Sequence, residues 1–234
     1  MRDVNDATAP ASTSPSAGRF LLWDVDGTLV RNGTDAGNLY HEAVELAAGH
    51  AIEVRLPNRH GKTDGQILRE TLEAHGLPEE LHSLASEHLD ELSRLRHEAG
   101  NHRVLCPGVR EALAATTAAG WTNALLTGNG LARSRYKLTG AGLDESLFDW
   151  DRSYFGNVSP IRSDLTLRAA AELEGRAIIV GDTPNDDWAA DVAGLEFIGV
   201  ATGAYTAEDL RETKAVLVID DLDTGLDQLL AAIA

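Results

Sequence analysis

Residues 19–30 read RFLLWDVDGTLV, a short apolar run that ends in two carboxylates, Asp24 and Asp26, and a turn at Gly27. Two more aspartates, Asp182 and Asp186, lie in GDTPND after the run AIIV, and Thr127-Gly128-Asn129 follows the run NALL. In open α/β sheets, ligands bind beyond the carboxyl ends of the strands. Three polar loops at three such ends can therefore meet on one rim. Four carboxylates gathered there repel one another if left bare, and a hard dication relieves the repulsion. Mg²⁺ takes oxygen ligands in octahedral geometry and keeps several waters, with Asp24 and Asp182 as the expected direct ligands. Thr127 offers a hydroxyl, and Gly128 and Asn129 offer backbone N–H groups just before a helix, where anions are stabilised. With an anion pocket beside Mg²⁺, a carboxylate can attack phosphorus to give an aspartyl-phosphate.

The elements that must carry these loops show as alternation. Apolar runs at 20–23, 124–126, 177–180, 197–200 and 216–219 predict buried parallel strands. Helical patterns at 109–118, 131–138, 164–173, 186–193 and 221–233 lie between or after them. Such alternation predicts a doubly wound parallel sheet joined by right-handed crossovers. Residues 32–100 break it, with three helical patterns (35–48, 63–75 and 78–98) and no strand. The last begins PEE, which suits a first turn, and carries Leu81, Leu84, Ala85, Leu89, Leu92 and Leu95 near helical spacing. The expected division is a disordered tail over 1–18, an α/β core formed by 19–31 and 101–234, and an all-helical cap over 32–100.

The chain has 234 residues, 43% of them hydrophobic, enough for a sizeable core, and a net charge of -17. That charge argues against a nucleic-acid or anionic-membrane partner, and an anionic substrate needs local positive charge. The single cysteine, Cys106, excludes an intrachain disulfide framework, and its neighbours suggest a structural role. No run of 18 apolar residues occurs, and the first residues, rich in Ala, Ser, Thr and Pro, contain no apolar signal region. A cytoplasmic protein, monomeric or homodimeric, is expected. Asn58, Arg59, His60 and Lys62 precede a helix starting near Thr63-Asp64. They read equally as a substrate-contacting loop, with Lys62 as the binding candidate, and as a solvated loop with an N-cap. The eight histidines show no metal-ligand spacing, and His82 and His88 are expected on exposed helix faces. Trp23, Trp121, Trp150 and Trp188 are expected in packing.

DVDGTLV, LLTGN and GDTPND, in this order, resemble the signature loops of the haloacid dehalogenase superfamily. The resemblance spans nearly all of 19–234. CPGVREAL before the second loop and GKTDGQIL inside the insertion agree with it, most closely with phosphoglycolate-phosphatase-like hydrolases. It implies a Rossmann-like core with a helical cap inserted after the first motif, and Mg²⁺-dependent hydrolysis of a small phosphorylated metabolite. It implies Asp24 as nucleophile. Asp26 is then the acid–base residue, and its carbonyl also ligates the metal. Thr127 binds the phosphoryl group. Asp182 is a metal ligand and Asp186 a direct or water-mediated one, with Asp187 a weaker substitute.

One element departs from the family's pattern. The usual lysine between the second and third loops is missing, and FGNVSPIRSDLTLRAA offers Arg162 instead, with Lys137 as the other cation upstream. Arginine keeps the charge but is larger and planar. Other readings are a phosphomutase on the same scaffold, a phosphonate hydrolase using Lys62, a dehalogenase (against which Asp26 argues), and a non-catalytic receiver module, which has little need of a large cap.

Overall fold

The computed structural model describes residues 18–31, 38–54, 61–157, 159 and 161–234. The expected tail up to residue 17, and Asn58, Arg59 and His60, lie outside the described residues. In chain order, β1 (Gly18–Trp23) and β2 (Val30–Arg31) precede three helices: α1 (Leu39–Ala48), α2 (Asp64–Ala74) and α3 (His82–Glu98). Then come β3 (Val104–Leu105), α4 (Val109–Ala118), β4 (Thr122–Thr127), α5 (Leu131–Gly140), β5 (Tyr154–Phe155) and α6 (Arg162–Glu172). The chain closes with β6 (Gly175–Gly181), α7 (Pro184–Ala193), β7 (Glu196–Val200), α8 (Ala207–Arg211), β8 (Leu217–Ile219) and α9 (Leu226–Ile233).

The main sheet runs β5-β4-β1-β6-β7-β8, and every neighbouring pair is parallel. It is the doubly wound α/β sheet that the alternation predicts. The chain moves outward from β1 to β4 and β5, returns to the other flank of β1 with β6, and moves outward again. That reversal leaves the carboxyl ends of β1, β4 and β6 side by side at the centre of the sheet, where ligands bind in such folds. Successive side chains on a strand point to opposite faces, and β1 shows it. Leu21 and Trp23 join the core beneath α4, α5 and α9, whereas Phe20 and Leu22 join the one beneath α6 and α7. The strands are apolar on both faces because helices cover both.

β2 and β3 pair antiparallel, Val30 opposite Leu105 and Arg31 opposite Val104. This short ribbon ties the outgoing and returning strands of the insertion together. The helices between them have their own apolar core, centred on Val44, Ile67, Leu68, Leu72, Ala85 and Leu89.

Several expectations need correction. Gly18 belongs to β1, not to the tail. The last helix starts at Leu226 rather than 221, because the Asp221 carboxylate accepts from Thr224 N (2.7 Å) and Oγ1 (2.9 Å) and closes a turn first. On α3, Leu84 and Leu95 are exposed while Ala85 and Leu89 carry the packing. Trp188 is exposed, since α7 buries Asp186, Ala189 and Ala190 on its other side. His82 and His88 are half-buried, and His82 Nε2 lies 2.8 Å from Gly65 O. β5 and α8 have no counterpart among the predicted elements.

Candidate active site

Asp24 follows directly on β1, Thr127 ends β4, and Asp182 follows β6. Asp24, Asp182 and Asp186 each offer a carboxylate oxygen within 4.8 Å of the others, and all three residues are buried. Asp186 serves two roles at once. It is the third residue of α7, and its Oδ2 accepts from Thr183 N (3.1 Å) and Thr183 Oγ1 (2.9 Å) in a capping box. GDTPND thus also starts the helix, and the cap leaves Oδ1 turned toward the cluster. Asp182 Oδ1 accepts from Thr28 Oγ1 at 3.2 Å. Gly27, at φ +91°, makes room for that carboxylate, because a Cβ there would sit 2.2 Å from Asp182 Oδ2.

One cation faces this group. Arg162 Nη2 lies 3.0 Å from Asp24 Oδ1 and 2.5 Å from Asp186 Oδ1, and also donates to Leu126 O at 3.2 Å. Three buried carboxylates against one guanidinium leave an excess of negative charge. Burial pushes the Asp24 carboxyl up to about 6, and Asp186 and Asp26 add to the rise against the pull of Arg162. Burial and then Asp24 and Asp186 likewise raise Asp182 well above the usual carboxylate range. Asp186 Oδ1, though near Arg162, has no properly directed hydrogen bond. Hard oxygen donors, excess negative charge and an orphaned buried oxygen fit a dication such as Mg²⁺.

Asp26 stands two residues on but in a different setting. Its side chain is 44% exposed, and Oδ2 meets Lys137 Nζ at 2.5 Å and Asn129 Nδ2 at 2.7 Å. Burial alone raises an acid, but here the Lys137 ammonium outweighs it and holds Asp26 well below the usual range. Lys137 is the more deeply covered partner (11% exposed), so burial lowers its ammonium to about 8 although Asp26 supports the charge. The cation that meets Asp26 comes from α5, 111 residues away in sequence, and it favours the ionised carboxylate.

Asn129 holds this arrangement, with Oδ1 accepting from Lys137 Nζ (2.6 Å) and Nδ2 also reaching Thr127 Oγ1 (2.9 Å). The Asn129 N–H turns to Thr127 Oγ1 at 3.3 Å. The anion that accepts from the α5 N-terminus is Asp64 of the cap, whose Oδ2 takes Gly130 N–H at 2.7 Å. Asp187 faces Lys214 N (3.0 Å) instead of the cluster. The Lys62 ammonium pairs with Glu70 at 2.6 Å, while its carbonyl abuts Gly128, where a Cβ would come within 2.2 Å of it.

The GKTDGQIL stretch clasps the two layers together. Asp64 N donates to Gly128 O (2.6 Å), Gly65 N to Gly156 O (3.1 Å) and Thr63 Oγ1 to Ser159 O (2.7 Å). Thr63 is the α2 N-cap, as its position suggests, accepting from Gln66 N. Asp64 also binds Tyr40 Oη (2.7 Å) and the Arg133 guanidinium. Tyr40, Asp64 and Arg133 were not among the sequence candidates. The available signal was the spacing of Arg133 and Lys137, four apart on one face of the helix that follows the second loop.

Residues 19–194 match the haloacid dehalogenase-like hydrolase family. The chain is 30% identical over 216 residues to a phosphoglycolate phosphatase of Mesorhizobium japonicum, covering 87% of this chain and 91% of that protein. Its fold resembles a haloacid dehalogenase hydrolase of family IA from Entamoeba histolytica, with a TM-score of 0.67 at 20% identity over 92% of this chain and 99% of that one. It also resembles a β-phosphoglucomutase from Clostridium difficile, with a TM-score of 0.64 at 16% identity over 92% and 97% of the two chains.

Proposed function

The chain belongs to the haloacid dehalogenase-like hydrolases, and from that premise we propose that it is a Mg²⁺-dependent phosphatase of a small phosphorylated metabolite. The observation that carries the reading is the gathering of Asp24, Asp182 and Asp186 at the central strand ends, with Asp24 and Asp186 paired to Arg162.

Asp24, Asp182, Asp186 and the Asp26 carbonyl would hold the Mg²⁺. When bound, it screens the carboxylates and lets phosphoryl oxygens approach them. Arg162 and the Thr127 hydroxyl bind the phosphoryl oxygens. Arg162 also offsets their repulsion with Asp24. The Asp24 carboxylate attacks phosphorus, the P–O bond to the leaving group breaks, and the aspartyl-phosphate forms. The Lys137–Asp26 pair handles the proton. The lowered ammonium supplies the one that the departing oxygen needs, through Asp26, and Asp26 then takes one from water. That water attacks phosphorus, the bond to Asp24 breaks, and free phosphate leaves. The helices of 32–100 act as a cap over these groups. The absence, among the described residues, of a helix long and apolar enough to cross a membrane agrees with a cytoplasmic setting, as does the free buried Cys106.

A panel of small phosphate esters assayed for released phosphate, with Mg²⁺ and with chelator, tests the reading. Metal-dependent release is expected. Phosphate moved within a sugar without release points to a mutase, and equal rates in chelator remove the dication from the account.

A further inference from the structure

Asp64 opens α2 of the cap, yet it reaches into the core and is only 3% exposed. Its N–H donates to Gly128 O at 2.6 Å, and its Oδ2 accepts from Gly130 N at 2.7 Å. One cap residue therefore holds the backbone on both sides of Asn129. Asp64 Oδ1 pairs with the Arg133 guanidinium and accepts from Tyr40 Oη at 2.7 Å, and Arg133 Nη1 donates to Tyr40 Oη at 3.1 Å. A buried ion pair of this kind is poor evidence for stability, because desolvation offsets most of its attraction. What it fixes is position. Arg133 and Lys137 are four residues apart on one face of α5. With Arg96 and Arg103 they line a cavity of about 40 Å³ between α3 and α5, whose wall contains no Asp or Glu among the described residues. Lys137 thus stands among cations, and Asp64 meets the charge of Arg133, one turn away from it.

We infer that Asp64 is a positioning residue for the proton step: by holding Asn129 and Arg133 it sets the Lys137–Asp26 pair, so that protonation of the leaving oxygen depends on a residue of the cap. The inference rests on the phosphatase reading and deepens it. One path runs through Asn129. Its Nδ2 donates to Asp26 Oδ2 at 2.7 Å, and its Oδ1 accepts from Lys137 Nζ at 2.6 Å. A shift of the 128–130 backbone moves both bonds, and a displacement of about 1 Å is enough to cost much of a rate. The other path runs through charge. Arg133 is close enough to Asp26 for the two charges to attract. Freed from Asp64, its guanidinium competes with Lys137 for that carboxylate. A guanidinium does not give up a proton in a protein, so the exchange replaces a proton donor with an inert cation.

The test compares two esters of nearly the same shape, p-nitrophenyl phosphate and phenyl phosphate. Phenolate is the more basic leaving group and departs badly without a proton. The readout is kcat/KM, which covers the steps up to loss of the phenol and leaves out the later attack of water. In Asp64→Ala, kcat/KM on phenyl phosphate should fall roughly 10–100-fold, a part of the about 10²–10⁴-fold that a positioned proton donor contributes. On p-nitrophenyl phosphate it should fall by less than about threefold. Asp64→Asn can still accept from Gly130 N and should recover part of the loss. Asp64→Ala combined with Arg133→Met leaves no unpaired buried charge, so it guards against a single variant that fails to fold, and it should show the same selective loss through Asn129. Equal losses on the two esters, or none, overturn the inference while the phosphatase reading stands. A second readout needs no turnover: hydrogen exchange of the Asn129 side-chain amide, followed by NMR. Slow exchange in the wild type and fast exchange in Asp64→Ala are expected. If no phosphate ester is hydrolysed yet the amide is released in this way, the phosphatase reading falls and Asp64 still positions Asn129. Exchange that Asp64→Ala leaves unchanged overturns the positioning.

Discussion

The acidic cluster at the ends of β1 and β6 and the cavity between α3 and α5 are opposites in charge. The first gathers three buried carboxylates, two of them paired with the Arg162 guanidinium. The second gathers four cations with no acid in its wall among the described residues. Asp26 and Lys137 join them, one residue from each side. The difference teaches how an acidic chain can handle an anion. Three buried carboxylates stand where, on the proposed reading, a dication would screen them, while cations line the space between α3 and α5. At contact distances in a partly buried site, such local charges outweigh the screened field of the distant surface.

The largest expected effect comes from the acidic side. Asp24→Asn keeps the volume and removes the attacking anion, so kcat falls on the order of 10⁴-fold or more, as when a covalent nucleophile is lost. Steady-state phosphate release by the purified variant checks it, and near-wild-type turnover removes Asp24 from the mechanism.

Arg162→Ala takes away the one cation that, among the described residues, contacts Asp24 and Asp186. The rate should fall about 10²–10³-fold, and more than it does for Lys137→Ala. The reverse ranking transfers the phosphoryl-binding role to Lys137. Lys137→Met should cost less, around tenfold, and should act through the acid limb of the pH profile. With Lys137 gone, Asp26 loses the charge that holds it low, so its pKa rises and the limb that reports the base moves to higher pH. An unmoved profile with the same rate loss makes Lys137 a packing residue only.

The smallest effect concerns stability without metal. Asp24 in the folded protein sits at about 6, above its unfolded value, and Asp182 is raised as well. A raised acid destabilises the fold above its folded pKa, and the penalty vanishes as pH falls through that value toward the unfolded one. In chelator, Asp182→Asn should therefore melt higher than wild type at pH 8, by a few degrees. The gap should close as pH falls from 8 toward the ordinary carboxylate range, and reverse in Mg²⁺. Melting scans across that range decide it, and an Asp182→Asn protein less stable than wild type in chelator at pH 8 contradicts the charge imbalance.

The rim was legible because it depends on short stretches: an apolar run, its terminal carboxylate and a turn glycine can be read within ten residues. β1, β4, β6 and β7 were visible for the same reason, and the family membership follows from the motifs that those strands carry. The two-residue β5 has no pattern to read, and α8 is a single capped turn of five residues held by Thr206 and Asp209. Long side chains that meet across distant segments left still less trace. Lys137 on Asp26 and Arg133 on Asp64 join the α5 helix to residues 111 and 69 positions away. Trp188 shows the complementary error, since a large apolar residue on a helix is buried only if its face is the covered one.

The account depends most on Asp24 carrying the phosphoryl group while Asp26 moves the protons. Asp26→Asn leaves the attacker in place and removes the base that activates water. Mixed rapidly with p-nitrophenyl phosphate, whose leaving group needs little protonation, this variant should give a burst of about one nitrophenolate per active site and slow turnover afterwards. Quenched protein should carry one phosphoryl group on the peptide containing Asp24. Turnover at the wild-type rate without a burst, or a phosphoryl group on another residue, contradicts it.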